Sequence, residues 1–176
     1  GNRCKDECLP EETNRRIVDI ISDVNIAYSE HARRYLADCG LPKERTYVSG
    51  SPMAEVLNAN IDKILKSDIL SKLGLEEKKY ILLSAHREEN IDTEKNFRSL
   101  FNALNTLAEK YDMPILYSCH PRSRKRLENS DIVLDKRIIM HEPLGFSDYN
   151  KLQMGAFAVV SDSGTLPEES SFYLSI

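Results

Sequence analysis

From residue 80 onward, short apolar segments alternate with segments of helical periodicity. The apolar segments have the length and composition of buried strands, and they span residues 80–85, 114–118, 137–141 and 157–161. Helices are predicted between and after them, at 95–110, 123–128, 147–154 and 166–172. Strands that alternate with helices build a parallel sheet with helices on both faces. We therefore predict an α/β fold with a Rossmann-like parallel sheet.

The chain before residue 80 is less regular, but it also predicts helices and strands. The helices are predicted at 10–21, 30–39 and 53–65, and the strands at 23–28 and 46–48. We expect residues 1–50 to form the end of an N-terminal domain with a crossover, and residues 51–176 to form an incomplete C-terminal domain. The chain starts without methionine and stops after apolar residues, so we also expect it to be a piece of a longer protein.

Composition argues against several classes of function. The 176 residues carry a formal net charge of -4, so no broad basic field is available for nucleic acid. The basic cluster at 122–126 is interpreted as a solvated helix start. No apolar segment approaches the roughly 20 residues that cross a bilayer, and no signal peptide is visible. The four cysteines lack the second pair or nearby histidine of a zinc site, so we expect no metal and a reduced, cytoplasmic protein.

Polar residues follow each of the four strands predicted after residue 80. They occupy segments 86–90, 119–122, 142–146 and 162–165. Because the carboxyl ends of parallel strands lie at one edge of a sheet, we expect these residues to converge there. Ligands of open α/β sheets bind beyond this edge. The convergence therefore predicts a binding site.

The last of these segments has the composition of a phosphate-binding turn. The sequence Ser-Asp-Ser-Gly-Thr-Leu-Pro-Glu-Glu at 161–169 follows the apolar run 156–160, which reads as a buried strand. Small residues at a strand-to-helix turn leave backbone N–H groups for an anion, and the helix dipole adds positive charge there. The carboxylate of Glu169 suits the hydroxyls of a ribose. A nucleotide or nucleotide-sugar is the first ligand to consider, and the alternative is an ordinary capped helix after a strand.

Three further side chains could serve such a site. His86 and Arg87 offer an imidazole and a fixed cation beside the expected phosphate. His120 follows the second strand. The alternative for both histidines is a polar residue of a strand end or turn. No dinucleotide fingerprint, P-loop or nucleophile elbow is present in the sequence.

Taken together, the motifs resemble those of the non-hydrolysing UDP-N-acetylglucosamine 2-epimerases. They occur in the order of that family and cover the chain nearly from end to end. The motifs are Gly-Asn-Arg at 1–3, Pro-Glu-Glu-Thr-Asn-Arg at 10–15, Gly-Ser-Pro at 50–52, His-Arg-Glu-Glu-Asn at 86–90, His-Pro at 120–121, Glu-Pro-Leu at 142–144 and the run at 161–169.

The resemblance implies a fold, a reaction and a set of partners. The fold is the GT-B architecture, in which two Rossmann-like domains hold the ligand between them. The reaction inverts carbon 2 of a UDP-N-acetylhexosamine by elimination and re-addition of UDP, without cofactor or metal. The full-length protein is implied to be a homodimer that acts in capsule or cell-surface polysaccharide synthesis. The expectation of no nucleic-acid or membrane partner comes from the charge and composition above.

The resemblance also assigns roles to individual residues. Glu11 and His86 are the catalytic candidates, and His86 also lies at the diphosphate. For Glu11 the alternative is complementarity to the helix dipole. The remaining assignments are Ser163 and Gly164 for the diphosphate, Glu169 for the ribose, Leu144 and Phe146 for the uracil, and Arg87 and His120 for the cleft or an activator site.

The sequence departs from the family pattern at two positions. Glu88 stands where the family often has arginine, and Thr165 stands where it usually has glycine. With Gly-Asn-Arg-Cys at 1–4 and His-Arg-Glu-Glu-Asn at 86–90, the pattern looks closer to the branch that makes UDP-N-acetyl-L-fucosamine. The alternative functions are a GT-B glycosyltransferase that uses a UDP-sugar donor, and an inactive UDP-binding fragment. Because the sugar-binding residues of the first domain lie outside this sequence, the chain alone is expected to be inactive.

Overall fold

The computed structural model describes residues 3, 10–85, 87, 91–119 and 121–173. The chain folds as two compact units that divide between Ala54 and Glu55. The predicted division after residue 50 stays a prediction about the domains of the whole protein. None of the helices within the described ranges is long and apolar enough to cross a membrane.

The first unit contains two helices and a small parallel sheet. In chain order the elements are α1 (Pro10–Ile21), β1 (Asn25–Ala27), α2 (Glu30–Asp38), a short 3-10 turn (Lys43–Arg45) and β2 (Thr46–Val48). Ser29 caps α2, because its hydroxyl accepts a hydrogen bond from the N–H of Ala32 at 3.2 Å. The helix ends before Gly40, which has a φ of 87°. The predicted elements are confirmed, although β1 is shorter than predicted because its pairing with β2 covers three residues.

The second unit is a parallel sheet with helices on both faces. Its elements are most of α3 (Met53–Leu65), then α4 (Ile69–Leu73), β3 (Ile81–Ser84), α5 (Glu94–Tyr111), β4 (Ile115–Ser118), α6 (Pro121–Glu128), β5 (Ile138–His141), α7 (Phe146–Gly155), β6 (Ala158–Ser161) and α8 (Leu166–Tyr173). The strand order is β5-β4-β3-β6, and each neighbouring pair is parallel. The α/β prediction is confirmed.

Alternating residues of the central strands enter two separate cores. On one face, Leu83 and Tyr117 pack with Phe97 and Phe101 of α5. On the other face, Leu82 and Leu116 of β4 pack in a cluster with Ile69 of α4 and Leu152 of α7. A strand buried on both faces is the expected environment of a parallel sheet.

The prediction of a buried strand at 156–160 is wrong for β6. Val160 is 36% exposed, and Ala158 and Val159 are only partly buried. Among the strands that the structure describes, β6 pairs with β3 alone and forms an edge of the sheet. An edge strand lacks a neighbour on one side, so its side chains are less completely covered.

The basic cluster at 122–126 lies on α6, where its arginines contact neighbouring groups. Arg122 pairs with Asp92 at 2.8 Å, and Arg124 donates to the carbonyl of Met140 at 3.2 Å. The guanidinium of Arg126 pairs with Glu94 at 2.8 Å and lies 4.6 Å from the ring centre of Phe97. These cations therefore attach α6 to the rest of the second unit.

Candidate functional site

The candidate site is built on the turn that joins β6 to α8. The N–H of Ser163 donates to the hydroxyl of Ser161 at 3.0 Å, and the N–H of Thr165 contacts the hydroxyl of Ser163 at 3.4 Å. The N–H of Glu169 donates to the carbonyl of Thr165 at 3.0 Å, which starts the first turn of α8. Gly164 is exposed at this corner. The amino end of α8 adds partial positive charge, so the turn suits an anion.

Arg87 from the end of β3 lies against the same turn. Its N–H donates to the carboxylate of Asp162 at 2.9 Å, and its Nε donates to the carbonyl of Asp162 at 2.7 Å. A Cβ atom built on Gly164 would lie 4.0 Å from Nη2 of Arg87. The two segments meet because β3 and β6 are paired, with Ser84 opposite Ser161. A fixed cation therefore lies beside the candidate phosphate-binding turn.

Glu169 is oriented toward the turn by a hydroxyl group. Thr165 donates to the carboxylate of Glu169, with 2.9 Å between Oγ1 and Oε1. The hydroxyl of Ser163 lies 3.0 Å from the same Thr165 oxygen. Because Thr165 uses its proton for the carboxylate, its oxygen is free to accept from Ser163. A chain of hydroxyl groups therefore joins the candidate diphosphate turn to the candidate ribose carboxylate.

Two tyrosines lie close to Glu169. Burial raises the pKa of Tyr149, a hydrogen bond from Ser84 lowers it, and the negative charges of Glu169 and Asp162 raise it, with a net increase. Burial also raises the pKa of Tyr173, and the charge of Glu169 adds to this. Both phenols therefore stay protonated and can donate hydrogen bonds at neutral pH.

The loop that carries Leu144 and Phe146 is tied to α8 through Asn150. Asn150 donates to the carbonyl of Phe146 at 2.8 Å, and Tyr173 donates to the side-chain oxygen of Asn150. Leu144 packs against the second core, whereas Phe146 is 44% exposed at the first residue of α7. An exposed aromatic ring at this position can stack on a base.

A separate open cleft of about 460 Å³ lies on the α5 side of β3 and β6. Its lining includes Asp162 together with Asn96 and Ser99 of α5. Ser163, Gly164 and Glu169 do not belong to this lining. The candidate nucleotide residues therefore lie beside the cleft, next to Asp162 of its lining.

The structure brings together some of the predicted site residues and leaves others undescribed. Arg87, Ser163, Gly164 and Glu169 lie at one corner of the second unit, and Asn150 connects this corner to Phe146. Glu11 belongs to the first unit, where it is exposed in the first turn of α1. His86 and His120 lie outside the described residues. Among the residues that are described, no three acidic, histidine or cysteine side chains form a group that could hold a metal ion.

Residues 1–175 match the family model described as UDP-N-acetylglucosamine 2-epimerase. The chain belongs to this family. It is 30% identical over 178 residues to the UDP-N-acetylglucosamine 2-epimerase of Methanococcus maripaludis, and the match covers 97% of the chain and 48% of that protein. The chain thus spans about half the length of the curated relatives it matches.

Solved structures of epimerases match the fold of the chain. The UDP-N-acetylglucosamine 2-epimerase of Rickettsia bellii is 49% identical, with a TM-score of 0.86 over 97% of this chain and 45% of that chain. The Methanocaldococcus jannaschii enzyme, solved in complex with UDP-GlcNAc and UDP, is 28% identical, with a TM-score of 0.86 over 98% of this chain and 49% of that chain. The predicted family is confirmed, and these epimerases have the GT-B fold that the resemblance implied.

Sequence reasoning missed the residues that support the site. The sequence does not assign Thr165, Tyr149, Asn150 or Tyr173 to the site. Phe146 directly precedes the predicted helix at 147–154, and α7 begins one residue earlier, at Phe146. Its contact with Asn150 follows from this start, since residues four apart share a helical face. The contact between Tyr173 and Asn150 joins two helices, and no local pattern predicts it.

Proposed function

We propose that the full-length protein inverts carbon 2 of a UDP-N-acetylhexosamine. The chain described above would supply the UDP-binding half of the site and one catalytic glutamate. The observation that carries the proposal is the corner formed by Arg87, the Ser163-Gly164 turn and Glu169. Family membership supports it, as does the relative solved with UDP-GlcNAc and UDP.

Each part of UDP has a candidate partner at this corner. The diphosphate would lie on the turn at Ser163 and Gly164, beside the guanidinium of Arg87 and next to His86 in sequence. The ribose hydroxyls would donate to the carboxylate of Glu169. The uracil would pack against the loop of Leu144 and Phe146. This arrangement places an anion at a helix amino terminus and a hydroxyl pair at a carboxylate, as the chemistry of each group favours.

The reaction needs an acid and a base but no change of oxidation state. A carboxylate base removes the proton from carbon 2 while the bond between carbon 1 and the diphosphate oxygen breaks. The electron pair leaves with UDP, and an unsaturated sugar remains. UDP then adds back to carbon 1, and a proton is delivered to the other face of carbon 2. Glu11 and His86 are the proton-transfer candidates of this chain, and Arg87 with the turn would stabilise the charge on the leaving diphosphate.

Two substrates fit the same chemistry. One is the pair UDP-N-acetylglucosamine and UDP-N-acetylmannosamine. The other is the 6-deoxy-L-talosamine compound that gives UDP-N-acetyl-L-fucosamine, and the sequence motifs at 1–4 and 86–90 support it by resemblance. Either product would serve capsule or cell-surface polysaccharide synthesis.

The test is product analysis of the full-length protein in deuterium oxide. Each candidate UDP-sugar is incubated separately, and the epimer is expected to carry deuterium at carbon 2. Unlabelled, unchanged sugars with both substrates would overturn the proposal. Transfer of the sugar to an acceptor would instead identify the glycosyltransferase alternative.

A second experiment tests the UDP half-site. Calorimetry with UDP compares Glu169→Ala with its neighbour Glu168→Ala in the full-length protein. We expect Glu169→Ala to weaken UDP binding and Glu168→Ala to bind like the wild type. Equal binding by Glu169→Ala and the wild type would remove Glu169 from the site. The same titration of the 176-residue chain alone, alongside an activity assay, tests the inactive-fragment alternative.

A further inference from the structure

Helix α1 is attached to the first unit in an unusual way. Among its residues 11–21, those that are buried are both carboxylates, Glu12 at 1% and Asp19 at 4% exposure. The apolar residues of the same helix are more than half exposed, and they are Ile17, Val18, Ile20 and Ile21. Among the described residues of this unit, charged contacts of the two buried carboxylates therefore attach the helix.

The guanidinium of Arg3 contacts both buried carboxylates. Its Nε lies 3.0 Å from Oε1 of Glu12, and its Nη1 lies 2.8 Å from Oδ2 of Asp19. The Arg3 side chain is 7% exposed. Because Glu12 and Asp19 are two helical turns apart, one planar group fixes the start and the later part of α1 at once. The fork of donors on arginine suits this geometry, and a lysine ammonium does not reproduce it.

Two further described side chains contact Glu12 and Asp19. Arg16 contacts the same oxygen of Glu12 at 3.2 Å, and Asn25 donates to the carbonyl of Asp19 at 3.1 Å. Desolvation lowers the pKa of Arg3, but the hydrogen bond to Asp19 and the charges of Glu12 and Asp19 raise it, with a net increase. Arg3 therefore stays charged, and among the described residues both Arg3 and Arg16 contact Glu12.

The residue next to Glu12 is the catalytic candidate Glu11. In the first turn of α1, Glu12 points into the unit toward Arg3 and Glu11 is exposed. Successive residues of a helix point about 100° apart around its axis. The contacts that fix Glu12 therefore also fix the rotation of α1, and with it the direction in which the Glu11 side chain points. We propose that Arg3 is a positioning residue, which orients the carboxylate of Glu11 through its contacts with Glu12 and Asp19. This inference rests on the proposed function.

The test uses the full-length protein and the variant Arg3→Lys, which keeps the charge and loses the fork. The matched control is Arg34→Met, because Arg34 contacts Glu30 at 3.3 Å in a surface pair. We expect Arg3→Lys to lower kcat by about tenfold to a hundredfold, since misplacing a reacting group by about 1 Å costs about that much. UDP affinity should stay within about twofold, and Arg34→Met should match the wild type in both. An unchanged kcat in Arg3→Lys would overturn the inference.

A double-mutant cycle separates positioning from a general loss of folded protein. Arg3→Lys is combined with Glu11→Asp, which keeps a carboxylate and a measurable residual rate. If Arg3 acts through Glu11, Arg3→Lys should lower kcat only slightly further in a protein that already carries Glu11→Asp. If the fall in kcat of the double variant equals the product of the two single falls, Arg3 has a structural role alone, and the inference is overturned. If Arg3→Lys does not fold, the same cycle with Glu12→Gln gives the same decision.

One further variant keeps the two proposals apart. Glu11→Gln with wild-type activity would overturn the catalytic role of Glu11 in the proposed function. Loss of activity in Glu11→Gln, with wild-type kcat in both Arg3→Lys and Glu12→Gln, would overturn only the positioning role of Arg3.

Discussion

The hydroxyl of Thr165 donates a hydrogen bond to the carboxylate of Glu169, with 2.9 Å between Oγ1 and Oε1. The hydroxyl of Ser163 lies 3.0 Å from the same Thr165 oxygen. One side chain thus connects the residues proposed for the diphosphate and for the ribose. This connection depends on the single hydroxyl of Thr165.

We expect Thr165→Val to weaken UDP binding by about 3- to 10-fold. Valine keeps the shape of threonine and removes the hydroxyl, and a hydrogen bond of this kind contributes about 0.5–1.5 kcal/mol. Calorimetry with UDP measures the change, and Thr165→Ser should restore most of the affinity. If the Thr165→Val protein binds UDP as tightly as the wild type, the hydroxyl of Thr165 does not orient Glu169 for the ligand.

Gly164→Ala should weaken UDP binding without destabilising the protein. The added Cβ would have only ordinary contact, 4.0 Å from Nη2 of Arg87 in this structure. The methyl group would occupy the exposed surface of the turn where the diphosphate is proposed to lie. Chemical denaturation and UDP calorimetry measure the two effects.

The contrasting variant is Gly155→Ala in α7. Its Cβ would lie 3.0 Å from the hydroxyl oxygen of Tyr80, a buried side chain that donates to the carbonyl of Leu152. We expect this variant to lose about 1–3 kcal/mol of stability through overpacking and to keep its UDP affinity. Two results for Gly164→Ala would contradict the proposal that the diphosphate lies on this turn. One is UDP binding equal to that of the wild type, and the other is a loss of stability as large as that of Gly155→Ala.

Local patterns predicted the helices and strands because each pattern reflects burial on one face. In α5, Phe97, Phe101 and Leu104 recur at helical spacing, and all three are buried against the sheet. The edge position of β6 was not predictable in the same way. The apolar composition of residues 156–160 does not reveal which strands lie beside them, and strand order depends on the whole chain.

The sequence also predicted where the site residues would meet, but not what holds them. The carboxyl-end rule for parallel sheets brought Arg87 and Asp162 together, although they are 75 residues apart. The ligand assigned to each residue stays a prediction from the resemblance. The contacts of Arg3 with Glu12 and Asp19 join a helix to a residue outside it, and no periodicity contains that information.

Phe101→Ala should cost about 3–5 kcal/mol in the free energy of unfolding, as expected for a buried aromatic residue replaced by alanine. Phe101 is fully buried and makes edge contacts with Phe97 at 4.8 Å and Tyr117 at 5.9 Å between ring centres. The matched control is Phe157→Ala, whose side chain is 49% exposed and should cost about 1 kcal/mol. Urea denaturation measures both, and equal losses would contradict the assignment of Phe101 to the core.

The carboxyl group of Glu30 should titrate well below the ordinary range of glutamate. Its hydrogen bonds from Arg33, at 2.8 Å and 2.6 Å, and from Arg34, at 3.3 Å, lower its pKa to about 2. The folded-state pKa lies below the unfolded-state value of about 4.3, so the contribution to stability is present above that pH and is lost as the pH falls toward 2. NMR titration of the Glu30 carboxyl measures the midpoint directly.

Removing Arg33 tests the cause of this shift. Arg33→Gln should raise the midpoint of Glu30 toward the ordinary value, because the strongest hydrogen bonds and the nearest positive charge are lost. Arg45→Gln serves as a control elsewhere in the first unit and should leave the midpoint unchanged. Salt of about 1 M should also raise it, since the pair is exposed and the Debye length falls to about 3 Å. A midpoint that stays near 2 in Arg33→Gln would show that the arginine fork does not hold the carboxylate in solution.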